Sequence, residues 1–190
     1  MTGTELYNSV LQLGFSQSFD ELEPVFYEAA NLALCQLSRL FPEEAVREIT
    51  VSPGEGYYTT LRGKDLDPRF LGFSHTPLFF EGRGLIPGRD YLLRGGSLLV
   101  PSERTGIPLT LCYCIFPKRL TPDNREEALS LEGQAEHLLP LLTASILWEQ
   151  DDPELANRYY SLYRAALGEA QRERIPRFSA GMLSTNGWDL

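Results

Sequence analysis

Apolar residues recur along this chain at two different periods, and the change of period divides it. Between Phe19 and Leu40 they fall at Leu22, Phe26, Ala29, Ala30, Ala33, Leu34, Leu37 and Leu40. Steps of three and four place them on one stripe, so the spacing predicts an amphipathic helix over Phe19–Leu40. Ser18 and Glu21 have the spacing of a capping box, and Pro24 is expected in the first turn, where its missing N–H has no intrahelical partner. Phe41-Pro42 ends this helix. Upstream, Leu6, Val10 and Leu13 predict a short helix that closes near Gly14.

From Ala45 to Lys118 the helical period is lost, and most glycines and many prolines gather there. "REITV" predicts a strand. "YLLRGGSLLV" (Tyr91 to Val100) predicts a hairpin, because Gly95-Gly96 tolerates the positive φ of a tight turn. "IPLTLCYCIFP" predicts a third strand, with an antiparallel meander as the simplest topology. "HTPLFFEGRGLIPG" is loop-like, leaving Phe79-Phe80 exposed or seeking a partner. "PGEGYYTTLRGK" is a Gly-rich turn between strands and lacks the G-K-[ST] that would cradle phosphates.

The helical period returns after Pro122. Leu129 to Trp148 is rich in apolar residues, and Pro140 must start a helix there or kink one. A last helix is predicted over Pro153 to Arg174, with Leu155, Tyr159, Leu162, Tyr163 and Ala166 on its buried stripe. Pro176, Gly181 and Gly187 make the remainder an extended tail. The predicted fold is therefore α+β: a helical bundle formed by N- and C-terminal helices, with an inserted antiparallel β-rich segment and an extended C-terminal tail. Its expected divisions are the N-terminal helices at 1–44, the β-rich insert at 45–118, a helical hairpin at 119–174 and the tail at 175–190.

Charge and composition narrow the function. The 190 residues are 43% hydrophobic and 23% charged, which suits a packed globular chain. The formal net charge of −9 argues against a sequence-reading grip on nucleic acid, which relies on clustered Lys and Arg. "MTGTELYNSVLQLGF" has no basic stretch of the signal-peptide kind, and no run reaches the ~18 apolar residues of a membrane span. Three cysteines, Cys35, Cys112 and Cys114, suggest a reducing compartment.

Candidate chemistry is sparse. Asp151-Asp152-Pro153-Glu154 stands between two apolar runs, as a carboxylate cluster or as a helix cap. Asp152 before Pro153 has the form of an N-cap, with Asp151 and Glu154 adding negative charge at the positive end of the helix. No convergent His or further carboxylate is identifiable beside them, so the cap reading is preferred. Cys112 and Cys114 would share a strand face about 6.5–7 Å apart, a poor geometry for a mutual disulfide. With Cys35, His75 and His137 they make a zinc site on paper, against the plainer reading of three small buried hydrophobes. No G-x-S-x-G elbow is present. Tyr159 and Tyr163 are expected to pack between helices rather than stack on bases. No catalytic residue, metal site or cofactor is expected.

Together "ELYNSVLQLGF", "FYEAANLALCQLSRLFPEEAVREI" and above all "LLPLLTASILWEQDDPELANRYYSLY" resemble the head–tail connector (adaptor, head completion) proteins of tailed bacteriophages. The resemblance implies a structural virion protein at the head–tail interface, assembled in the host cytoplasm. It implies a homo-oligomeric ring of about a dozen copies between portal and other tail-joining proteins, with DNA passing through the lumen unbound. An acidic wall suits DNA that must slide. The competing reading is a soluble intracellular, non-enzymatic binding module for a peptide or small molecule, with Phe79-Phe80 near its site; a hydrolase trails both. The expected partner-binding residues are the apolar anchors of the tail, Phe178, Met182, Leu183, Trp188 and Leu190, spaced among small residues and rooted in Arg172, Arg174 and Arg177.

Overall fold

Thr2 opens the first helix as its N-cap: its hydroxyl accepts from the Glu5 N–H while the Glu5 carboxylate accepts from the Thr2 N–H. The structure, a computed structural model, describes residues 1–15, 19–54, 56–131 and 133–174. Helix α1 spans Gly3–Leu11 and buries Leu6, Tyr7 and Val10; Gly14 follows with φ 101, the left-handed turn expected there. Helix α2 spans Phe19–Leu40, as its periodicity predicts, and buries Phe26, Ala29, Ala30, Ala33, Leu34 and Leu37. Pro24 lies in the second turn of α2, not the first. The proposed cap at Ser18 lies outside the described residues.

Strand β1 (Glu43–Thr50) follows directly, then β2 (Tyr58–Arg62), the single turn α3 (Gly63–Leu66) and β3 (Phe70–Phe80). The chain continues through β4 (Arg83–Gly84), β5 (Leu92–Arg94), β6 (Ser97–Pro101) and β7 (Pro108–Ile115). Gly95 and Gly96, at φ 56 and 73, make the predicted two-residue turn of the β5–β6 hairpin. The third predicted strand does not extend that hairpin. The strands form two antiparallel sheets, β1-β7-β3-β4 and β2-β6-β5, in place of a meander. β7 lies in the first sheet between β1 and β3, with Leu109, Leu111, Tyr113 and Ile115 alternating onto its one inward face. It pairs with β1 from Glu43↔Ile115 to Thr50↔Pro108.

The segment expected as loop is largely strand. β3 pairs with β7 through Phe73↔Tyr113 and again through Leu78↔Leu111, and the ladder shifts register between them. Ser74, His75, Thr76 and Pro77 bulge out where Pro77 has no N–H to give. Both sheets contribute to one core that includes Leu78, Tyr91, Leu98, Val100, Leu111 and Tyr113.

The chain then returns through the short α4 (Gly133–Glu136) to α5 (Leu139–Trp148) and α6 (Pro153–Arg174). Pro140 starts α5 rather than kinking it. Here the expected architecture is corrected. The terminal helices do not close into a bundle that carries an insert. α5 is apolar on nearly all sides, so it is covered on several: α1, α2 and α6 each lie against it. Seven strands in two sheets with their own core make up the middle of the described chain. The expected extended tail, 175–190, lies outside the described residues. Among those residues no helix is long and apolar enough to cross a membrane.

Candidate functional site

The acidic knot resolves first. Asp152 Oδ1 accepts from the N–H groups of Glu154 at 3.1 Å and Leu155 at 3.0 Å, and its own carbonyl accepts from Ala156 N at 2.9 Å. These are the orphan donors of the first turn of α6. The carboxylate is occupied by the helix it starts, and Asp151 and Glu154 point to solvent.

The other candidate groups do not converge. Cys112 and Cys114 share the face of β7 opposite its core residues, and all three cysteines are free thiols. Burial, then the nearby Glu44 carboxylate, pushes the Cys112 thiol up, away from the thiolate. Ser74 Oγ lies 3.9 Å from Cys114 Sγ. Cys35 is on α2 and half-buried, in the helical half. His75 is exposed on the β3 bulge and His137 is exposed before α5. Among the described residues no group of three or more His, Cys, Asp or Glu is placed to hold a metal ion. Phe79 and Phe80 are half-buried strand residues paired to Gly84 and Arg83, so they do not stand free at a loop tip.

On α6, Tyr163 is buried in the helical core, and Tyr159 donates its hydroxyl to the Leu13 carbonyl, tying α6 to the end of α1. Both pack, as expected. Leu162, expected on the same stripe, is 48% exposed; Ala156, Leu167 and Ala170 are buried instead. The Arg174 side chain and the tail anchors Phe178, Met182, Leu183, Trp188 and Leu190 lie outside the described residues.

Two concavities and one charge cluster were not foreseen. A groove of about 230 Å³ runs over α5, lined by Leu142 and Ile146 of α5, by Gln36 of α2 and by Ala156, Asn157 and Tyr160 of α6, with the exposed Glu149 also in the lining. It exists because α2 and α6 lean on α5 from different sides. A second groove, of about 260 Å³ and mainly apolar, lies between α2 and the chain leaving β7. Leu34, Cys35, Phe116 and Pro117 line it, with Lys118 and Arg119 at the rim. The charge cluster centres on Asp90, whose buried carboxylate accepts from Ile86 N at 2.9 Å, Arg89 at 3.1 Å and Arg104 at 2.7 Å. The Ile86 N–H first, then Arg89 and Arg104, lowers its pKa to about 2. It staples the loop before β5 to the turn after β6.

Sequence inspection could have flagged Asn31, an amide between the apolar positions Ala30 and Leu32 of a helical stretch. It could not have found the grooves, whose walls come from segments more than eighty residues apart. No protein-family model and no curated protein matches this sequence.

Proposed function

We propose that this chain is a structural virion protein, a head–tail connector (adaptor) of a tailed phage. It forms a homo-oligomeric ring between portal and tail and has no catalytic role. The observation that supports the reading best is the display of large apolar side chains on two braced helices. Val25 and Leu32 on α2 are 54% and 56% exposed, and Tyr160 and Leu162 on α6 are 45% and 48% exposed. Apolar side chains held outward on rigid elements suit subunit contacts. The acidic composition suits a lumen through which DNA passes without being held. In this reading the ring sits at the head–tail interface after assembly in the host cytoplasm.

Negative-stain imaging of the purified protein with its cognate portal tests this. The expected result is a ring of about a dozen subunits seated on the portal. A portal that stays undecorated at saturating protein overturns the proposal.

The groove beside Cys35 favours a second reading, a binding module for a small apolar ligand with an anionic end that meets Arg119, Lys118 being paired with Glu127 at 2.6 Å. An anionic, environment-sensitive naphthalene dye should brighten on binding there and lose that gain in Cys35→Trp. Equal brightening in both proteins removes this reading.

A further inference from the structure

We propose that the groove over α5 receives the C-terminal segment 175–190 of a second copy of this chain. This deepens the ring reading, and rests on it for the ring geometry. Three observations carry it.

The first is the continuity of the groove with exposed apolar surface. Leu32 stands one helical turn before Gln36 on α2 and is more than half exposed. Tyr160 of α6 lines the groove and is nearly half exposed. Leu142 and Ile146 of α5 line it too. An extended segment with spaced apolar anchors fits a trough of this kind, each anchor entering between two walls.

The second is charge. Glu149 is the only charged residue in the lining, and no cation among the described residues pairs with it. The root of the segment is basic, with Arg172, Arg174 and Arg177 in a chain of net charge −9. A rim carboxylate facing that root orients the segment and favours its encounter.

The third is reach. From Tyr160 to the end of α6 at Arg174 the helix climbs about 21 Å, at ~1.5 Å per residue. Phe178, four residues past that end, can return at most about 14 Å, at ~3.4 Å per residue. Phe178 therefore falls short of the groove of its own chain, which only Met182 and the later anchors are long enough to reach, whereas in a neighbour's groove the whole series can seat from Phe178 onward. Tail into groove is a head-to-tail contact, which closes into a ring when the rotation permits.

The test uses two full-length variants and light scattering behind size exclusion. Tyr160→Arg keeps the tail and spoils the groove; Phe178→Ser with Trp188→Ser keeps the groove and spoils the tail. The wild type should run as an oligomer and each variant as a monomer. An equimolar mixture should give a species of twice the monomer mass and nothing larger, because only one productive tail–groove pair remains. Leu32→Arg, at a more exposed position, should repeat the effect of Tyr160→Arg, and unchanged thermal melts show that the variants fold. A monomeric wild type, or variants that keep the wild-type mass, overturns the inference. In the latter case rings still form and the connector reading survives. Failure to decorate portal despite a proven tail–groove contact sinks the connector reading alone.

Discussion

Asn31 holds Leu120 by both of its backbone groups. The amide Nδ2 donates to the Leu120 carbonyl at 2.8 Å, and Oδ1 accepts from the Leu120 N–H at 2.8 Å. Nδ2 also donates to the Tyr27 carbonyl at 2.7 Å, one turn back on α2. The pairing clamps the chain returning from the sheets onto the helical half. It also buries Leu120, 1% exposed, against the underside of Gly3.

Asn31→Ala should therefore destabilise the protein by about 1–3 kcal/mol, since it orphans a backbone N–H and C=O rather than only deleting a bond. Asn31→Asp sets a carboxylate oxygen against the Tyr27 and Leu120 carbonyls in place of the donor, so it should destabilise at least as much as alanine at neutral pH. Urea midpoints of the three proteins check this. An alanine variant as stable as the wild type would show that water replaces the clamp.

Asp90 makes stability depend on pH at the acid end. Its folded pKa is depressed to about 2, so its contribution is fully present above its unfolded value and is lost as pH falls through the folded one. The stability gap between wild type and Asp90→Asn should be constant above about pH 5 and narrow as pH drops from about 4 toward 2. Denaturant midpoints taken across that window give the gap. A gap that does not change with pH would mean that the Ile86 N–H, Arg89 and Arg104 do not hold the carboxylate ionised.

Asp152→Ala removes the cap of α6 and should lower stability by about 0.5–2 kcal/mol. Asp152→Asn keeps an acceptor oxygen and should recover most of the loss. If both variants lose the same amount, the carboxylate acts by its charge at the helix end and not by the two hydrogen bonds.

Gly63 begins α3 beneath the aromatic ring of Phe70, and a Cβ there would land within the ring. Phe70 is itself held against Phe73 and Tyr113, with ring centroids 4.9 and 6.0 Å away. Gly63→Ala should cost about 1–3 kcal/mol through this overpacking. Gly63→Ala with Phe70→Leu should recover part of it, which a double-mutant cycle on melting temperature would measure.

The sequence by itself determined the parts of this protein whose causes are local. The spans of α2 and α6 follow from periodicity, the start of α6 from an Asp-Pro pair, and the β5–β6 hairpin from Gly95-Gly96. Each needs only residues within a few positions of one another. The tertiary structure decided the rest. Alternation in β7 shows that it has one inward face, but not that Ile115 pairs with Glu43 rather than with the hairpin. An apolar stretch predicts α5 but not that three helices converge on it, because an all-round apolar surface has no direction until neighbours cover it. The groove over α5 is the same effect seen from outside: it is the gap left where two helices chose different flanks of a third, and no local pattern records that choice.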